Sequence, residues 1–301
     1  MTRVAVVGPG AIGGTVAAWL ARDAAIEVVV CARTPLERLT LEAPEARIEA
    51  EVPVLTDPAT AAPADWALVC TKAYDADAAA AWLERLIGRG TRVAILQNGV
   101  EHVERFEPFV ALERLLPAVV NIPAERTAPG NVVQRRHGAI VVPAGPGGED
   151  FVRLFQHCPI AVSTTEDFLT AAWEKLTLNC TGAVNALVLK PNGVVHDPAI
   201  AEIMRALMEE CIAVGRAEGA RLADDLPERV LEGCRGGPPE SVNSMHADRL
   251  AGRPMEVDAR NGVIVRRGGA RGIATPLNRL MVTLLEAAQQ RERGWESKTE
   301  R

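Results

Sequence analysis

Lysine is rare in this chain, and one lysine occupies an apolar segment. Among the 33 lysine and arginine residues, the lysines are Lys72, Lys175, Lys190 and Lys298. Lys175 lies in WEKLTLNCTGAVNAL, residues 173–187, which is mostly apolar. A guanidinium does not lose its proton in proteins, whereas an ammonium can. A site that must release a proton therefore cannot use arginine, which makes Lys175 a candidate proton donor. The alternative is a lysine on a solvated helix face.

Asn179 follows Lys175 by four residues, so a helix would present both side chains on one face. Hydride addition to a ketone leaves negative charge on the oxygen, which a positioned acid must protonate or stabilise. Lysine has a reference pKa of about 10.4 and enters such a site protonated. The pair therefore fits reduction of a carbonyl group. Lys175 would be the acid, and Asn179 would orient the ammonium or contact the substrate.

A glycine-rich turn follows the first predicted strand. The segment GPGAIGG places Gly8, Gly10 and Gly13 in the GxGxxG spacing, with Ala11 and Ile12 between the last two. Such a turn lets the backbone approach a pyrophosphate, whose charge the N–H groups of the next helix stabilise. Because a strand precedes the motif and another follows the helix, we predict a dinucleotide site rather than a glycine-rich turn without a ligand.

The residue after the second predicted strand indicates which dinucleotide binds. An NAD site places Asp or Glu there to accept a hydrogen bond from the ribose 2′-hydroxyl. This chain reads VVVCAR, with Arg33 at that place and no acidic residue before Glu37. A guanidinium binds a 2′-phosphate through paired, charge-assisted hydrogen bonds. We therefore predict NADPH as the cofactor and Arg33 as the selecting residue. The alternative is an exposed arginine in a loop.

Polar residues also follow two further predicted strands. Lys72 comes directly after ALVCT, and Asn98 comes directly after VAILQ. Ligands of open α/β sheets bind beyond the carboxyl ends of the strands. We therefore expect Lys72 and Asn98 on the ligand side of the sheet, although each residue taken singly can also be a turn residue.

The first half of the chain alternates between strand and helix patterns. The predicted strands are 4–7, 27–31, 67–70 and 92–96, and the predicted helices are 11–23 and 75–86. This rhythm is typical of a Rossmann-type α/β domain, with a mostly parallel sheet and helices on both faces. Between residues 115 and 163 short strands such as 139–142 are broken by proline and glycine. We expect them to extend the sheet with antiparallel edges.

After residue 165 the pattern becomes helical. Apolar residues repeat every three or four positions over 200–212 and again over 277–285, as on buried helix faces. The expected organisation is an NADP-binding Rossmann domain over 1–165, an all-α substrate domain over 166–292 and a charged tail over 293–301. We expect the substrate cleft between the two domains.

Composition argues against several classes of protein. A chain of 301 residues with 48% hydrophobic content can bury a substantial core. The net charge of −6, without a basic run, argues against nucleic acid as a partner. We find no secretory signal pattern, and no apolar run reaches the roughly 20 residues of a membrane helix. The six cysteines show no metal-ligand spacing with the five histidines. We therefore expect a reduced, cytoplasmic protein without a metal site.

These motifs together resemble the ketopantoate reductase family (2-dehydropantoate 2-reductases) over nearly the whole chain. Further segments in the family's order are TKA at 71–73, QNG at 97–99, PGNV at 129–132, PNG at 191–193, NSMHAD at 243–248, GRPMEVDARNG at 252–262 and TPLN at 275–278. The resemblance implies NADPH-dependent reduction of a 2-oxo acid to a 2-hydroxy acid. In pantothenate synthesis the substrate would be 2-dehydropantoate.

The resemblance also implies catalytic roles for particular residues. Lys175 would be the general acid, and Glu256 would form a hydrogen bond with the substrate hydroxyl or carbonyl group. Asn98 would bridge the lysine and the nicotinamide, and Lys72 would lie near the cofactor and the substrate entrance.

A second group of residues is linked by the resemblance to the substrate carboxylate. Ser244, together with Asn243, would bind it, although Ser244 can equally be a helix N-cap. Asp248 and Asn261 are interpreted as packing or capping residues rather than as chemical groups.

One position departs from the family pattern. Many members carry a second asparagine eight residues after the lysine, which helps to hold the hydroxyl end of the substrate. Here that position is Ala183, and Asn185 is rotated away from it around an ideal helix. Two alternatives remain: Asn185 or Asn192 takes over the contact through a local distortion, or the substrate lacks the hydroxymethyl group.

Two other functions compete with this interpretation. The β-hydroxyacid dehydrogenases also carry Lys-x-x-x-Asn after a Rossmann domain, but usually with a glycine-rich stretch where this chain has LTAAWEKL. They also lack the series of segments from NSM to the NG at 261–262. A non-catalytic NADPH-binding sensor is less consistent with the joint presence of Lys175, Asn179 and Glu256. The apolar surface of the helical domain is compatible with a homodimer.

Overall fold

The chain forms two compact units, Met1–Phe168 and Leu169–Arg301. The computed structural model describes residues 1–294, with side chains through residue 289. Of the predicted tail over 293–301, residues 293 and 294 belong to the last helix, and 295–301 lie outside the described residues. The assignment of 1–165 and 166–292 as cofactor and substrate domains stays a prediction.

The first unit, which the structure describes completely, combines three sheets with helices. Its strands are β1 (Thr2–Val7), β2 (Ile26–Cys31), β3 (Leu39–Ala43), β4 (Ala46–Ala50), β5 (Val54–Leu55), β6 (Ala64–Val69), β7 (Ile87–Ile95), β8 (Leu115–Pro117), β9 (Val119–Asn121), β10 (Ala124–Ala128), β11 (Asn131–Gln134), β12 (Ala139–Pro143) and β13 (Ala161–Thr165). Its helices are α1 (Ala11–Leu20), α2 (Ala76–Leu86), α3 (His102–Phe106) and α4 (Pro146–Leu154).

The main sheet is parallel throughout, in the order β5-β2-β1-β6-β7-β8. Because side chains alternate along a strand, Val4 and Val6 of β1 join one apolar cluster, and Ala5 and Val7 join another. Helices α1 and α4 contribute to the first cluster, and α2 and α3 contribute to the second. Both faces of the sheet are therefore covered by helices, which confirms the predicted Rossmann-type architecture.

The segment from 115 to 163 differs from its prediction. From this segment β8 joins the main sheet, and it pairs with β7 in parallel. Strands β9, β12 and β13 form a separate sheet, and β10 and β11 form another with β3 and β4. The expected antiparallel extension of the main sheet is therefore wrong. Pro117 has no backbone N–H to donate to a further strand, which suits β8 to the edge of the sheet.

The second unit is helical wherever the structure describes it. Its helices are α5 (Phe168–Val188, beginning at the last residue of the first unit), α6 (Pro198–Ala217), α7 (Leu226–Gly236), α8 (Ser244–Leu250), α9 (Val263–Ala270) and α10 (Pro276–Gly294). A π-helical turn, Asp258–Gly262, leads directly into α9. The predicted apolar stripe of α6 faces the core, with Met204, Leu207 and Cys211 buried. The all-α second half is confirmed.

The described residues contain neither a membrane-spanning helix nor a cluster of metal ligands. No helix there combines the length and the apolar character that crossing a bilayer demands. Within the same residues, no group of three or more histidine, cysteine, aspartate and glutamate side chains is arranged to hold a metal ion. The six cysteines are free thiols, and burial raises the pKa of several of them, including Cys31 to about 12 and Cys158 to about 11.

Candidate active site

The glycine-rich turn joins β1 to α1 at the carboxyl edge of the main sheet. Gly8 has a φ of +89°, and its N–H donates to the carbonyl oxygen of Cys31 at 2.9 Å. A Cβ atom on Gly13 would lie 2.2 Å from the carbonyl oxygen of Gly8. A Cβ atom on Gly10 would meet no atom within 4 Å. Packing therefore requires glycine at positions 8 and 13, whereas Gly10 borders open space that a pyrophosphate can use.

The N-terminus of α1 presents backbone donors beside Gly10. Gly10 is the N-cap, and within residues 1–294 no side chain caps this helix and no acidic residue occupies its first turn. The first turn begins with Ala11 and Ile12, whose N–H groups have no partner within the helix itself. These donors and the positive end of the helix dipole favour a bound anion. The residues present therefore fit the pyrophosphate of a dinucleotide.

Arg33 lies just beyond the carboxyl end of β2, beside the same edge of the sheet. Its side chain is 82% exposed, and its Nη1 lies 3.7 Å from Oδ1 of Asp75. An ion pair with so exposed a partner contributes little to stability. The guanidinium of Arg33 can therefore leave the Asp75 carboxylate and bind a phosphate at a small cost in free energy.

Gln97 connects the ends of β6 and β7, where Lys72 and Asn98 are located. Its Nε2 donates to Oγ1 of Thr71 at 2.9 Å and to the carbonyl oxygen of Lys72 at 3.3 Å. Arg105 donates from Nη1 to Oε1 of the same glutamine at 3.0 Å. The structure thus brings Lys72 and Asn98 to neighbouring strand ends. Their roles toward a cofactor stay predictions.

His102 is a buried polar residue at this edge that sequence reasoning missed. Its Nε2 lies 3.0 Å from the carbonyl oxygen of Gln97. Burial lowers the pKa of His102 to about 4, so the ring is neutral near pH 7. A neutral ring can donate to that carbonyl and hold the backbone in front of Asn98. The sequence offers no local signal for this contact beyond a histidine four residues after Asn98.

Lys175 lies on α5 of the second unit and is partly buried. Burial and, to a smaller extent, the positive charge of Arg260 lower its pKa to about 8. An ammonium with this pKa is mostly protonated near pH 7 and releases its proton more readily than an ordinary lysine. Asn179 is one helical turn further along α5 and is also partly buried.

Arg260 is a second residue that sequence reasoning missed. It is 3% exposed, and its Nη2 donates to Oγ of Ser244 at 2.5 Å. Burial lowers the pKa of this guanidinium, while the negative charges of Glu256 and Asp248 act in the opposite direction. Glu256 is itself buried. The sequence contains one indication of this contact, because Arg260 follows Glu256 by four residues, a spacing that brings side chains together on a helix. This chain has many arginines, so the spacing alone did not single out Arg260.

The π-helical turn Asp258–Gly262 carries both Arg260 and Asn261. Asn261 donates from Nδ2 to the carbonyl oxygen of Cys180 at 3.1 Å and to Oδ1 of Asn278 at 2.9 Å. These contacts tie the turn to α5 and α10, as expected of a packing residue. Single π turns are frequent at functional sites, because they change the direction of neighbouring side chains within a helix.

The remaining predicted binding residues make structural contacts. Asn243 is the N-cap of α8, and its Oδ1 accepts from the N–H of His246 at 3.1 Å. Ser244 is therefore not the N-cap; it is the first residue of α8 and is exposed. Asn185 donates from Nδ2 to the carbonyl oxygens of Lys190 and Pro191 at 3.1 and 3.2 Å. Roles of these side chains toward a substrate stay predictions.

Ala183, the position that departs from the family pattern, is completely buried in α5. The neighbouring Gly182 faces Asn243, and a Cβ atom on Gly182 would lie 3.1 Å from Oδ1 of that asparagine. Asn192 donates from Nδ2 to the carbonyl oxygen of Cys234 at 2.6 Å. Both asparagines proposed to replace the missing one, Asn185 and Asn192, thus already bind backbone carbonyl groups.

Known proteins resemble this chain along nearly its whole length. Family models described as ketopantoate reductase PanE/ApbA and its C-terminal part match residues 4–147 and 167–289. A 2-dehydropantoate 2-reductase of Caulobacter vibrioides is 62% identical over 288 residues, which cover 96% of this chain and 99% of the relative. A PanE/ApbA family ketopantoate reductase of Ralstonia eutropha has a TM-score of 0.87 at 33% identity, covering 97% of this chain and 99% of its own. A dimeric ketopantoate reductase of Staphylococcus aureus has a TM-score of 0.86 at 26% identity, covering 96% and 99%.

Proposed function

This chain belongs to the ketopantoate reductase family of oxidoreductases, and on that premise we propose that it reduces 2-dehydropantoate to pantoate with NADPH. The extent of the identity to the Caulobacter vibrioides relative supports this substrate. The observation that carries the reaction is Lys175, a partly buried ammonium whose pKa lies at about 8. That value suits a group that must hold a proton at neutral pH and then give it up.

In the proposed reaction Lys175 is the general acid. The dihydronicotinamide of NADPH, when bound, would supply the hydride that reduces the carbonyl carbon of the substrate. Nζ of Lys175 donates a proton to the carbonyl oxygen as negative charge develops there, which turns the ketone into a hydroxyl group. Asn179, on the same helix face, orients the ammonium. Glu256 accepts a hydrogen bond from a substrate hydroxyl group.

The first unit supplies the residues that would hold the cofactor. The backbone of Gly10, Ala11 and Ile12 receives the pyrophosphate, which agrees with the open space beside Gly10. Arg33 binds the 2′-phosphate, and its high exposure leaves the guanidinium available for this contact. Lys72 and Asn98, at neighbouring strand ends, contact the nicotinamide half.

We further propose a homodimer. The Staphylococcus aureus relative is dimeric, and this chain exposes large apolar side chains on two helices that pack together, α6 and α10. These side chains are Ile203, Leu280 and Leu284. Sedimentation velocity of the wild-type chain and of a Leu280→Arg, Leu284→Arg variant tests the proposal. A wild-type chain that sediments as a monomer at micromolar concentration contradicts it.

A second candidate is a different 2-oxo acid, because position 183 is alanine and the amides of Asn185 and Asn192 already donate to backbone carbonyl groups. A panel of 2-oxo acids, assayed with NADPH and with NADH, distinguishes the two candidates. We expect the highest kcat/KM for 2-dehydropantoate with NADPH. A higher value for an oxo acid without the hydroxymethyl group would overturn the substrate assignment, and absence of turnover with every oxo acid would overturn the reaction.

A further inference from the structure

Lys175 and Arg260 are two buried or partly buried cations with carboxylates nearby. Arg260 acts electrostatically on Lys175, and Glu256 and Asp248 act on Arg260. Asp248 also has another partner, because Arg253 donates from Nε to its Oδ1 at 2.9 Å. A 2-oxo acid near pH 7 is an anion, and a guanidinium is a group that can pair with its carboxylate.

On one edge of the Arg260 guanidinium, only one of the two nitrogen atoms forms a hydrogen bond with the protein. Nη2 donates to Oγ of Ser244, whereas Nε, on the same edge of the planar group, has no hydrogen-bond partner among the described residues. A buried N–H of a charged group without a partner costs free energy. The two oxygens of a carboxylate match this edge, because they can accept from Nε and Nη2 in parallel.

The hydroxyl group of Ser244 contacts this edge of the guanidinium, and a substrate carboxylate can displace it. Ser244 is exposed at the start of α8, so its hydroxyl group can turn away from Nη2 and remain hydrated while a carboxylate oxygen takes its place on that nitrogen. The same hydroxyl group can then donate to an incoming carboxylate. The neutral hydroxyl thus holds the guanidinium in place before the substrate arrives.

A purely structural role accounts less well for Arg260. Asp248, one of its two acidic neighbours, already has Arg253 as a partner. Nε of Arg260 is also buried without a hydrogen-bond partner among the described residues, which is unfavourable for a group with a purely structural role. Arg260 also lies on the π-helical turn, and such turns are frequent at functional sites.

We propose that Arg260 anchors the carboxylate of the 2-oxo acid through Nε and Nη2, with Ser244 donating to the same carboxylate. This inference rests on the proposed function and deepens it, because it makes a buried guanidinium the group that selects for a free carboxylate. In a 2-oxo acid the carboxylate and the carbonyl group are on adjacent carbon atoms. Their two receptors must therefore be neighbours, as Arg260 and Lys175 are.

The test compares a charged substrate with an uncharged one of the same carbon skeleton. 2-Dehydropantoate has a free carboxylate, and its lactone does not. Arg260→Gln removes the positive charge. Arg260→Lys keeps the positive charge but lacks the two parallel N–H donors of the guanidinium. For both variants we expect kcat/KM for the acid to fall at least about 30-fold, with the value for the lactone changed less than about threefold. Calorimetric binding of pantoate should weaken by a similar factor.

Arg253→Gln is the matched control, because it removes a nearby positive charge without touching the proposed anchor. We expect this variant to change the ratio of kcat/KM for the acid to kcat/KM for the lactone less than about threefold. An equal loss of that ratio in Arg253→Gln, or an unchanged ratio in the Arg260 variants, overturns the inference. Wild-type turnover of an oxo acid is measured first, so that failure of the proposed function is seen separately.

Folding of the variants is checked by circular dichroism and thermal unfolding. Arg260→Gln leaves Glu256 and Asp248 less compensated and can prevent folding. In that case Arg260→Lys, which retains the positive charge, decides the question. Ser244→Ala adds an independent measurement, since an exposed serine is dispensable for folding. We expect kcat/KM for the acid to fall about two- to tenfold and kcat/KM for the lactone to stay unchanged. Equal effects on both substrates would exclude the hydroxyl group from the carboxylate site.

Discussion

Lys175 and Arg260 are two cations that lie close enough to interact in the second unit. Burial of Lys175 and the nearby charge of Arg260 both make its protonated form less favourable, and together they lower its pKa to about 8. Two positive groups are costly to hold together unless negative charge is added. The pair is therefore suited to receive an anionic substrate and to transfer a proton to it.

The pH dependence of the reaction follows from the lowered pKa of Lys175. The protonated ammonium is the acid, so the rate is highest below the pKa and falls as pH rises through it. We expect kcat/KM to be level near pH 7 and to fall about tenfold per pH unit above pH 8. A profile measured with NADPH checks this. A rate that stays level until the ordinary range of lysine, about pH 10, would contradict it.

Replacing Lys175 by Met should remove the acid and keep an apolar side chain of similar length. We expect kcat to fall at least about a hundredfold while the Kd for NADPH stays near that of the wild type. Stopped-flow reduction and fluorescence titration measure the two quantities. Lys190→Met is the control, because Lys190 is exposed just beyond α5 and should tolerate the change. Unchanged turnover of Lys175→Met would remove this residue from the mechanism.

The glycine turn allows packing to be separated from binding. Gly13→Ala would place a Cβ atom 2.2 Å from the carbonyl oxygen of Gly8, so we expect a clearly lower Tm. Gly10→Ala meets no protein atom within 4 Å, so we expect an unchanged Tm. Its methyl group would keep the pyrophosphate away and weaken NADPH binding at least about tenfold. Wild-type affinity in Gly10→Ala would mean that the pyrophosphate lies elsewhere.

Arg33→Ala tests the selection of NADPH over NADH. Loss of the guanidinium removes its hydrogen bonds to a 2′-phosphate, so the Kd for NADPH should rise at least about tenfold. The Kd for NADH should barely change, because NADH has no such phosphate. Arg38→Ala is the control, since Arg38 is exposed and pairs with Glu49 at 2.9 Å. An equal loss for both cofactors would argue against Arg33 as the selecting residue.

Asn278 should be a strong determinant of stability. It is fully buried, donates from Nδ2 to Oε2 of Glu210 at 2.7 Å and accepts from Asn261 at 2.9 Å. Asn278→Ala removes both of these buried side-chain hydrogen bonds, one of them to a carboxylate, and we expect a loss of about 2–4 kcal/mol in the free energy of unfolding. Urea denaturation measures it. Thr283→Ala, an exposed change on the same helix, should stay within about 0.5 kcal/mol.

Short-range patterns were sufficient to predict the main sheet and its helices. The alternation along β1 and the spacing of Gly8, Gly10 and Gly13 are carried by a few consecutive residues, so they can be read without knowing the rest of the fold. The side sheets could not be predicted in this way. Strand β11 pairs with β3, which lies far from it in the chain, and no local pattern specifies such a partner.

The same division holds for the candidate site. Residue type and spacing alone indicated Lys175 with Asn179, and the glycine turn with Arg33, because an ammonium, an amide or a bare backbone has chemistry of its own. The tertiary structure decided that Arg260 is buried beside Lys175 and that Asn243, not Ser244, caps α8. Burial, pKa and pairing depend on groups that folding brings from distant segments, and for that reason they were not visible in the sequence.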